Sequence, residues 1–323
     1  MIPPLFLTAI VFANIIALMS ISCTLALTRT NVPNFTAATL GTIGVYISFT
    51  CIKLFGIGLY PSLFFCFIGG GIVGIFIYYL LVKPLRDRGA TREELMIATL
   101  GLDILLIALL NIYADYLTRT FKIKTREFTL AVYDFTVGGM DGVLIISTLV
   151  FLGILTALHL LFTRTNIGIA MKALGENPSL AECQGIDTER LCVITWFLVG
   201  ALPATAGGFY PIYWITNPTI SLFLIVSVFA SCVLGGFATI YDAVAGAYII
   251  GLAQTVLVSY LAKITGPWIL PYGFFVALLI MITTVFLFPQ GLYGLPWDEI
   301  IKRIQKIFIS IKVQWRFKRC SPA

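Results

Sequence analysis

Long apolar runs dominate this 323-residue sequence, and they limit what it can fold into more than any motif does. A helix needs about 20 consecutive apolar residues to cross a bilayer. The candidate spans are residues 5–27, 35–55, 58–82, 95–117, 143–163, 190–212, 219–237, 241–262 and 268–288. Because backbone amides in hydrocarbon need partners within their own segment, we expect each run to be helical. The sequence therefore predicts an all-α polytopic membrane protein, a bundle of about nine transmembrane helices within a range of eight to ten.

The low charge content excludes a water-soluble globular protein. Only 11% of the residues are charged, against roughly 25% in soluble domains. We expect one transmembrane domain over residues 1–296, because no polar stretch is long enough for a separate core. The seven cysteines are scattered without a C-x-x-C pair, so we expect no metal site and no disulfide framework. No catalytic or phosphate-binding motif is found, so neither catalytic residues nor a bound cofactor are expected.

The net charge of +6 is interpreted as membrane topology rather than as a nucleic-acid binding surface. If the loop at 83–94 faces the cytoplasm, fifteen of the 21 lysines and arginines lie inside. The positive-inside rule then places the N-terminus outside and the C-terminus in the cytoplasm. Residues 297–323 combine basic and apolar residues at helical spacing. We expect this segment to form an amphipathic cytoplasmic tail on anionic lipid.

A polar island at 164–190 interrupts the apolar runs. Apolar residues at helical spacing predict a helix that stops at Gly175. An Asn-Pro turn follows, and Ser179–Gln184 is predicted to form a second short helix that Gly185 ends in a left-handed conformation. Two interpretations remain open: a compact helix–turn–helix that docks another protein, or an amphipathic loop on the bilayer surface.

The stretch GENPSLAECQGIDTER resembles the cytoplasmic coupling loop of LivH/LivM-type permeases, the membrane subunits of branched-chain amino-acid ABC importers. The pattern of that family here is x-N-P-x-x-A-x-x-x-G-I-D. This chain departs from it with Ser179-Leu180 where the family often has Glu-Ala. The residues for which the resemblance implies contact with an ATPase are Gly175, Glu176, Asn177, Pro178, Ala181, Gly185, Ile186 and Asp187.

Small residues recur at every fourth position in two of the apolar runs. Such residues let helix backbones approach each other in hydrocarbon, so we interpret them as packing ridges rather than as a gate. The stretches GALPATAGGFY and VLGGFATIYDAVAGAYIIGL also resemble the same family. The predicted helix-packing residues are Gly200, Ala204, Gly208, Gly235, Gly236, Ala243, Ala247 and Gly251.

Polar residues stand at the start of the second apolar run and inside the fourth. The stretch NFTAATLGTIGVY resembles the N-F-A-H-G-x-x-x-x-x-G-A-Y of the family, with Ala37 and Ala38 in place of His and Gly. The candidate translocation-path residues are Asn34, Thr36, Thr39, Thr42 and Asp103. The threonine hydroxyls either bond their own helix carbonyls or line a water-filled path. Asp103 needs a partner, water or a proton within a membrane, and His159 is one candidate partner.

The resemblance implies the permease subunit of an ATP-driven importer in the cell membrane. It implies a second, similar permease in a homo- or heterodimer, two cytoplasmic ATPase subunits that hold ATP and magnesium, and an external substrate-binding protein. The implied cargo is leucine, isoleucine or valine, with urea or short amides as an alternative. An ion-coupled secondary transporter that uses Asp103 and a non-transporting membrane scaffold are the rival classes. No nucleic-acid partner is expected.

Overall fold

A computed structural model describes residues 4–137, 140–288 and 290–294, which fold into helices joined by short turns. The α-helices are α1 Pro4–Thr30, α2 Ala37–Lys53, α3 Leu59–Ile77, α4 Lys83–Asp87, α5 Arg92–Phe121, α6 Gly142–Arg164, α7 Asn166–Glu176, α8 Pro178–Cys183, α9 Thr188–Tyr213, α10 Ser221–Gly235, α11 Ile240–Leu252, α12 Val258–Thr265 and α13 Gly273–Leu287. Strands β1 Thr136–Val137 and β2 Met140–Asp141 form a small antiparallel hairpin between α5 and α6. The amphipathic tail predicted at 297–323 lies outside the described residues.

Within the described ranges, six helical stretches are long and apolar enough to cross a membrane. They are Leu5–Thr30, Leu59–Asp87, Arg92–Phe121, Gly142–Arg164, Thr188–Tyr213 and Ile240–Thr265. Three further apolar helices, α2, α10 and α13, have 17, 15 and 15 residues, which is shorter than the ~20 residues of a full span. The predicted all-helical membrane protein is confirmed at this level, and the count of nine crossings stays a prediction.

Two of the long helices, α1 and α9, form the buried centre of the bundle. In the most apolar window of each, 72% and 78% of the residues are buried, against 17% in α5 and 22% in α6. Helix α9 packs against α1, α2 and α3, and α1 packs against α9, α10 and α11. Because α5 and α6 keep most of their apolar side chains on the surface of this chain, they suit contact with lipid or with another subunit.

Small residues allow α9 to touch two neighbouring helices with its backbone. A Cβ atom on Gly70 of α3 would lie 2.6 Å from the carbonyl oxygen of Gly200 on α9. A Cβ atom on Gly207 would lie 2.6 Å from the carbonyl carbon of Gly41 on α2, and the methyl group of Ala204 fills the space beside Gly70. No larger side chain fits at these contacts, so the predicted ridge of Gly200, Ala204 and Gly208 lies at the most closely packed part of the bundle.

The second predicted ridge lies on α11. A Cβ atom on Gly251 would lie 2.8 Å from the Cα atom of Ala13 on α1, while Ala243 and Ala247 are buried. A Cβ atom on Gly235 would lie 2.5 Å from a backbone oxygen of α11. Gly236, with φ +90°, ends α10 in a left-handed conformation and turns the chain into α11. It therefore acts through its backbone conformation rather than as part of a packing ridge.

Contacts between distant segments define the two ends of the bundle. The loop end holds residues 165–187: Asn31, which follows α1, donates a hydrogen bond to the carbonyl oxygen of Gly175 (3.1 Å), and Lys83 pairs with Glu189. The hairpin end holds β1 and β2 on the opposite side. Helix α1 therefore finishes, and α9 begins, at the loop end.

Two units of the bundle make equivalent contacts but run in opposite directions. One unit is α1, α2 and α3, and the other is α9, α10 and α11. Helix α9 packs on α3 as α1 packs on α11, and the short helices α2 and α10 touch each other. Each short helix follows an Asn-x-Thr turn. The Asn34 Oδ1 atom accepts bonds from Thr36 N (3.0 Å) and Oγ1 (2.7 Å), and Asn217 Oδ1 accepts the same two bonds from Thr219 at 3.1 Å. Because α1 ends at the loop end and α9 begins there, the two units are inverted relative to each other.

Adding a methyl group at the α2–α9 contact should destabilise the bundle. We expect Gly207→Ala to lower stability by about 1–3 kcal/mol, because the added carbon overlaps the Gly41 carbonyl. Gly153→Ala is the matched control, since a Cβ atom there meets no atom within 4 Å. The measurement is the thermal unfolding midpoint of the purified variants in detergent. Equal midpoints for Gly207→Ala and Gly153→Ala would contradict the packing described here.

Candidate functional site

The segment that joins α6 to α9 is a continuous series of capped helices. The Thr165 side chain accepts a hydrogen bond from Gly168 N (3.1 Å) and starts α7, and Asn177 Oδ1 accepts one from Leu180 N (3.1 Å) and starts α8. Asp187 Oδ1 accepts one from the backbone amide three residues on and starts α9. Each cap satisfies an amide that the helix itself leaves unpaired. The result is the predicted helix–turn–helix, connected to both long helices without a flexible linker.

The second short helix spans Pro178–Cys183, one residue earlier at each end than predicted. Proline is well suited to the first turn of a helix, where its missing N–H is not needed. Gly185, with φ +78°, ends the helix as the sequence predicts, and Gly185 N donates to Glu182 O (2.9 Å). A second bond from Ile186 N to Ala181 O (3.1 Å) completes the turn, so Ala181 and Ile186 hold the turn together from within.

Gly175 does not stop α7, which is where the sequence prediction was wrong. The helix continues through Glu176, and Gly175 instead lies against the last turn of α1. A Cβ atom on Gly175 would overlap the carbonyl oxygen of Thr28, and Asn31 binds the Gly175 carbonyl oxygen. The glycine therefore serves a close approach between α7 and α1 rather than a helix end.

Further side chains connect this segment to the rest of the loop end. Arg92, the first residue of α5, donates to Asn31 Oδ1 (2.7 Å), so one asparagine joins α1, α5 and α7. The Arg29 guanidinium lies over the Phe162 ring of α6, 4.7 Å from its centroid. Asn31 was not among the predicted residues. The sequence signal that could have identified Asn31 is an asparagine directly after a helix. Asparagine tolerates a left-handed backbone, and the φ angle of Asn31 is +57°.

The outer surface of the segment is mixed apolar and polar. Leu180 is 56% exposed and Ile169 is 62% exposed, and the polar residues Glu182 and Gln184 are also exposed. Among the predicted coupling residues, Glu176 is also exposed. Asp187 is paired within the chain, since its Oδ2 atom lies 2.7 Å from Arg190 Nε. Exposed apolar side chains on a rigid, capped element suit docking of another protein.

The predicted path residues of α2 are all fully buried. Asn34, Thr36, Thr39 and Thr42 are 0% exposed, so none of them lines an open surface of this chain. Thr42 donates to the backbone oxygen of Ala38 (3.2 Å), which is the local bonding alternative. Thr36 caps its own turn through Asn34. The structure therefore brings these side chains together at the start of α2 and leaves only Thr39 without a bond for its hydroxyl.

Asp103 faces Thr39 rather than His159, so the proposed Asp103–His159 pair is wrong. His159 Nδ1 contacts the Tyr241 hydroxyl, because α6 lies beside α11 while α5 lies beside α2. The Asp103 Oδ1 atom is buried and accepts no hydrogen bond. This carboxylate is therefore placed in the bundle without the partner that the sequence predicted for it.

Comparison with known proteins decides the family. The family described as "branched-chain amino acid transport system / permease component" matches residues 5–285. The chain belongs to this family. It is 39% identical over 292 residues to the probable branched-chain amino acid transport permease protein LivH of Methanocaldococcus jannaschii, covering 90% of this chain and 92% of the relative. The resemblance seen in the sequence is confirmed.

A more distant relative and one solved structure cover a similar share of the chain. The high-affinity branched-chain amino acid transport system permease protein LivH of Salmonella typhimurium is 27% identical over 296 residues, or 88% of this chain and 92% of the relative. The PsaBC structure from Streptococcus pneumoniae, solved with a Fab, superimposes with a TM-score of 0.50 at 12% identity. It covers 90% of this chain and 94% of that chain, and at this identity the likeness shows the fold alone.

The bond between Asn31 and Gly175 should hold α7 against α1. We expect Asn31→Gly to raise amide hydrogen exchange in α7 about threefold to tenfold, because the bonds to Gly175 and Arg92 are lost while the left-handed backbone is retained. Asn166→Gly is the control in the same segment, because Asn166 is exposed and lies at the other end of α7. Exchange in the last turn of α7 that is equal in the two variants would show that Asn31 does not anchor the segment.

Proposed function

We propose that this chain is the membrane-spanning permease subunit of an ATP-driven importer that moves branched-chain amino acids into the cell. The observation that carries the proposal is the segment at 165–187 in a member of the permease family. It is capped at every junction and continuous with α6 and α9. An importer driven by a separate ATPase needs such an element, since a flexible linker would absorb the motion instead of passing it on.

The ATPase activity belongs to separate subunits in this proposal. The sequence contains no G-x-x-x-x-G-K-S/T phosphate-binding loop, which ATP-hydrolysing subunits of this kind require. Of the two cytoplasmic ATPases, one would dock on the exposed face of α8 around Leu180, and the ATPases would bind ATP and magnesium. The exposed α5 and α6 would face lipid and a second, similar permease.

An external binding protein would deliver the substrate at the hairpin end. Residues 118–142 carry a basic group there, of which Arg126 already pairs with Asp115 through Nη2–Oδ1 at 2.9 Å. Lys122 and Lys124 remain exposed and suit an acidic docking surface, whose attraction would mainly speed association. Leucine, isoleucine and valine are the favoured cargo, because the relatives are named for branched-chain amino acids.

Two alternatives differ in substrate or in energy source. A permease for urea or short amides would keep the same coupling segment but change the solute. An ion-coupled secondary transporter is the other class, and the buried Asp103 Oδ1 atom without a hydrogen bond is the observation that favours it. Reconstitution separates these three functions. ATP-dependent uptake of leucine supports the importer, whereas uptake driven by an ion gradient without ATPases contradicts it.

We further propose nine crossings, with the loop end in the cytoplasm. Helix α10 starts at the hairpin end, after α9, and finishes at Gly236. Gly291 lies against Gly236, since a Cβ atom on Gly291 would be 2.6 Å from Gly236 N. The last described residues therefore lie at the loop end, where the positive-inside rule also places the basic tail. In this arrangement the short α2, α10 and α13 complete the crossings.

The coupling proposal is tested at Gly185. A side chain there costs about 1–2 kcal/mol in the left-handed conformation and distorts the exposed turn after α8. We expect Gly185→Val to assemble normally but to lose most of the stimulation of ATP hydrolysis by loaded binding protein. Gly89→Val is the matched control, because Gly89 has φ +77° and equally open surroundings at the loop end. Full stimulation in an assembled Gly185→Val complex would refute coupling through this turn.

Orientation is tested by single cysteines in a cysteine-free background. Thr129 at the hairpin end and Ser179 on α8 are both exposed. An impermeant maleimide should label Thr129→Cys in intact cells and Ser179→Cys only after permeabilisation. The reverse pattern would invert the topology, and labelling of both positions in intact cells would place the two ends on the same side.

A further inference from the structure

A polar seam runs between α2 and α5, two helices that lie side by side in parallel. Thr99 of α5 donates to the Pro33 carbonyl oxygen (3.0 Å) just before α2, and the hydroxyls of Tyr113 and Thr50 lie 2.8 Å apart further along. Few backbone contacts join the two helices. The seam is therefore held by side-chain hydrogen bonds rather than by close backbone packing.

Within this seam, polar atoms are left without partners. Asp103 Oδ1 and Thr39 Oγ1 are both buried and have no hydrogen-bond partner of standard geometry, and the polar group that faces the carboxyl is the Thr39 hydroxyl. The Asn34 Nδ2 atom, at the start of α2, is also buried without a partner. Native proteins pair nearly all such groups, so three of them on α2 and the adjoining α5 require an explanation.

A carboxylate inside a membrane helix is commonly paired with a cation. Within the described part of the chain, no ion pair includes Asp103. The nearest arginine along α5, Arg92, is bonded to Asn31, and α2 holds no cation before Lys53 at its far end. A carboxylate inside a membrane helix is stable only with a partner, water or a proton. The Asp103 Oδ1 atom is buried but the residue is partly exposed, so a ligand can reach the carboxyl group through the exposed part of the side chain.

An apolar crevice begins further along the two helices that carry Thr39 and Asp103. A crevice of about 460 Å³ lies between α2, α3 and α5, lined by Ile43, Ile47 and Leu110 among others. Ile43 is one helical turn beyond Thr39, about 6 Å along α2. A ligand with an ammonium group at one end and a branched aliphatic group at the other would be complementary to the Asp103 carboxyl and the apolar crevice at Ile43.

We propose that Asp103, with Thr39 beside it, holds the ammonium group of the transported amino acid as it passes this chain, while its aliphatic side chain enters the crevice at Ile43. The inference rests on the proposed function as an amino-acid importer and adds a specificity-determining residue to it. It separates amino acids from solutes of similar size that lack an ammonium group, such as urea, short amides and carboxylic acids.

The test measures binding of radiolabelled leucine to the assembled permease–ATPase complex in detergent, without the binding protein. We expect Asp103→Asn to weaken leucine binding at least about tenfold. Asp115→Asn is the matched control on the same helix, because Asp115 already pairs with Arg126, and it should stay within about twofold. Leucinamide, which keeps the ammonium group, should compete with leucine, and 4-methylpentanoate, which lacks it, should not.

Three results would overturn the inference. Equal affinities of Asp103→Asn and Asp115→Asn would show that Asp103 does not hold the substrate, and so would competition by 4-methylpentanoate as strong as that by leucinamide. Unchanged leucine affinity with loss of a sodium dependence would make Asp103 an inorganic cation site. ATP-dependent leucine uptake by wild-type proteoliposomes with binding protein keeps the proposed function intact in each case. If the wild type neither transports leucine nor binds leucine or leucinamide, both proposals fail.

Discussion

Backbone contact between α9 and its neighbours is the interaction on which the rest of the structure depends. Lipid tails are as apolar as leucine, so helices in a bilayer gain little from hydrophobic burial against each other and associate through close packing. Gly200 and Gly207 have no side chain, so the backbone of α9 packs directly against backbone carbonyl groups of α3 and α2. These contacts hold α9 in place beside α1. The less buried α5 and α6 can therefore change their contacts without unpacking α1 and α9.

The same two central helices explain why the loop end is suited to transmit force. Helix α9 is capped by Asp187, two residues after Gly185, and α1 ends two residues after Thr28, whose carbonyl oxygen lies against Gly175. A displacement of α7 and α8 therefore reaches the most tightly packed part of the bundle directly. Because tightly packed helices resist deformation and move as units, the response to such a displacement is a rotation or shift of whole helices rather than a local distortion.

The sequence predicts elements well where one local signal decides them. Apolar length locates the helices, and the Asn-Pro turn and Gly185 locate α8 within one residue. It fails where a contact between distant segments decides. Gly175 has the local features of a helix stop. Its lack of a side chain instead lets α7 approach the carbonyl oxygen of Thr28, 147 positions away in the chain. Likewise, Asp103 and His159 have similar depth in the predicted topology, and only the placement of α5 beside α2 and α6 beside α11 separates them.

The inverted arrangement of α2 and α10 determines where the polar seam between α2 and α5 begins. Helices α2 and α10 start from Asn-x-Thr turns at opposite ends of the bundle and touch each other between α1 and α9. Polar atoms at the start of α2 therefore lie at the loop end beside α5, and side chains of α5 form hydrogen bonds to α2 and to the turn before it. Because Arg92 of α5 also binds Asn31 beside Gly175, Asn31 joins the helix that carries Asp103 to the segment at 165–187. The segment at 165–187 therefore contacts the bundle at two places: it is continuous with α9 through Asp187, and it reaches α5 through Asn31 and Arg92.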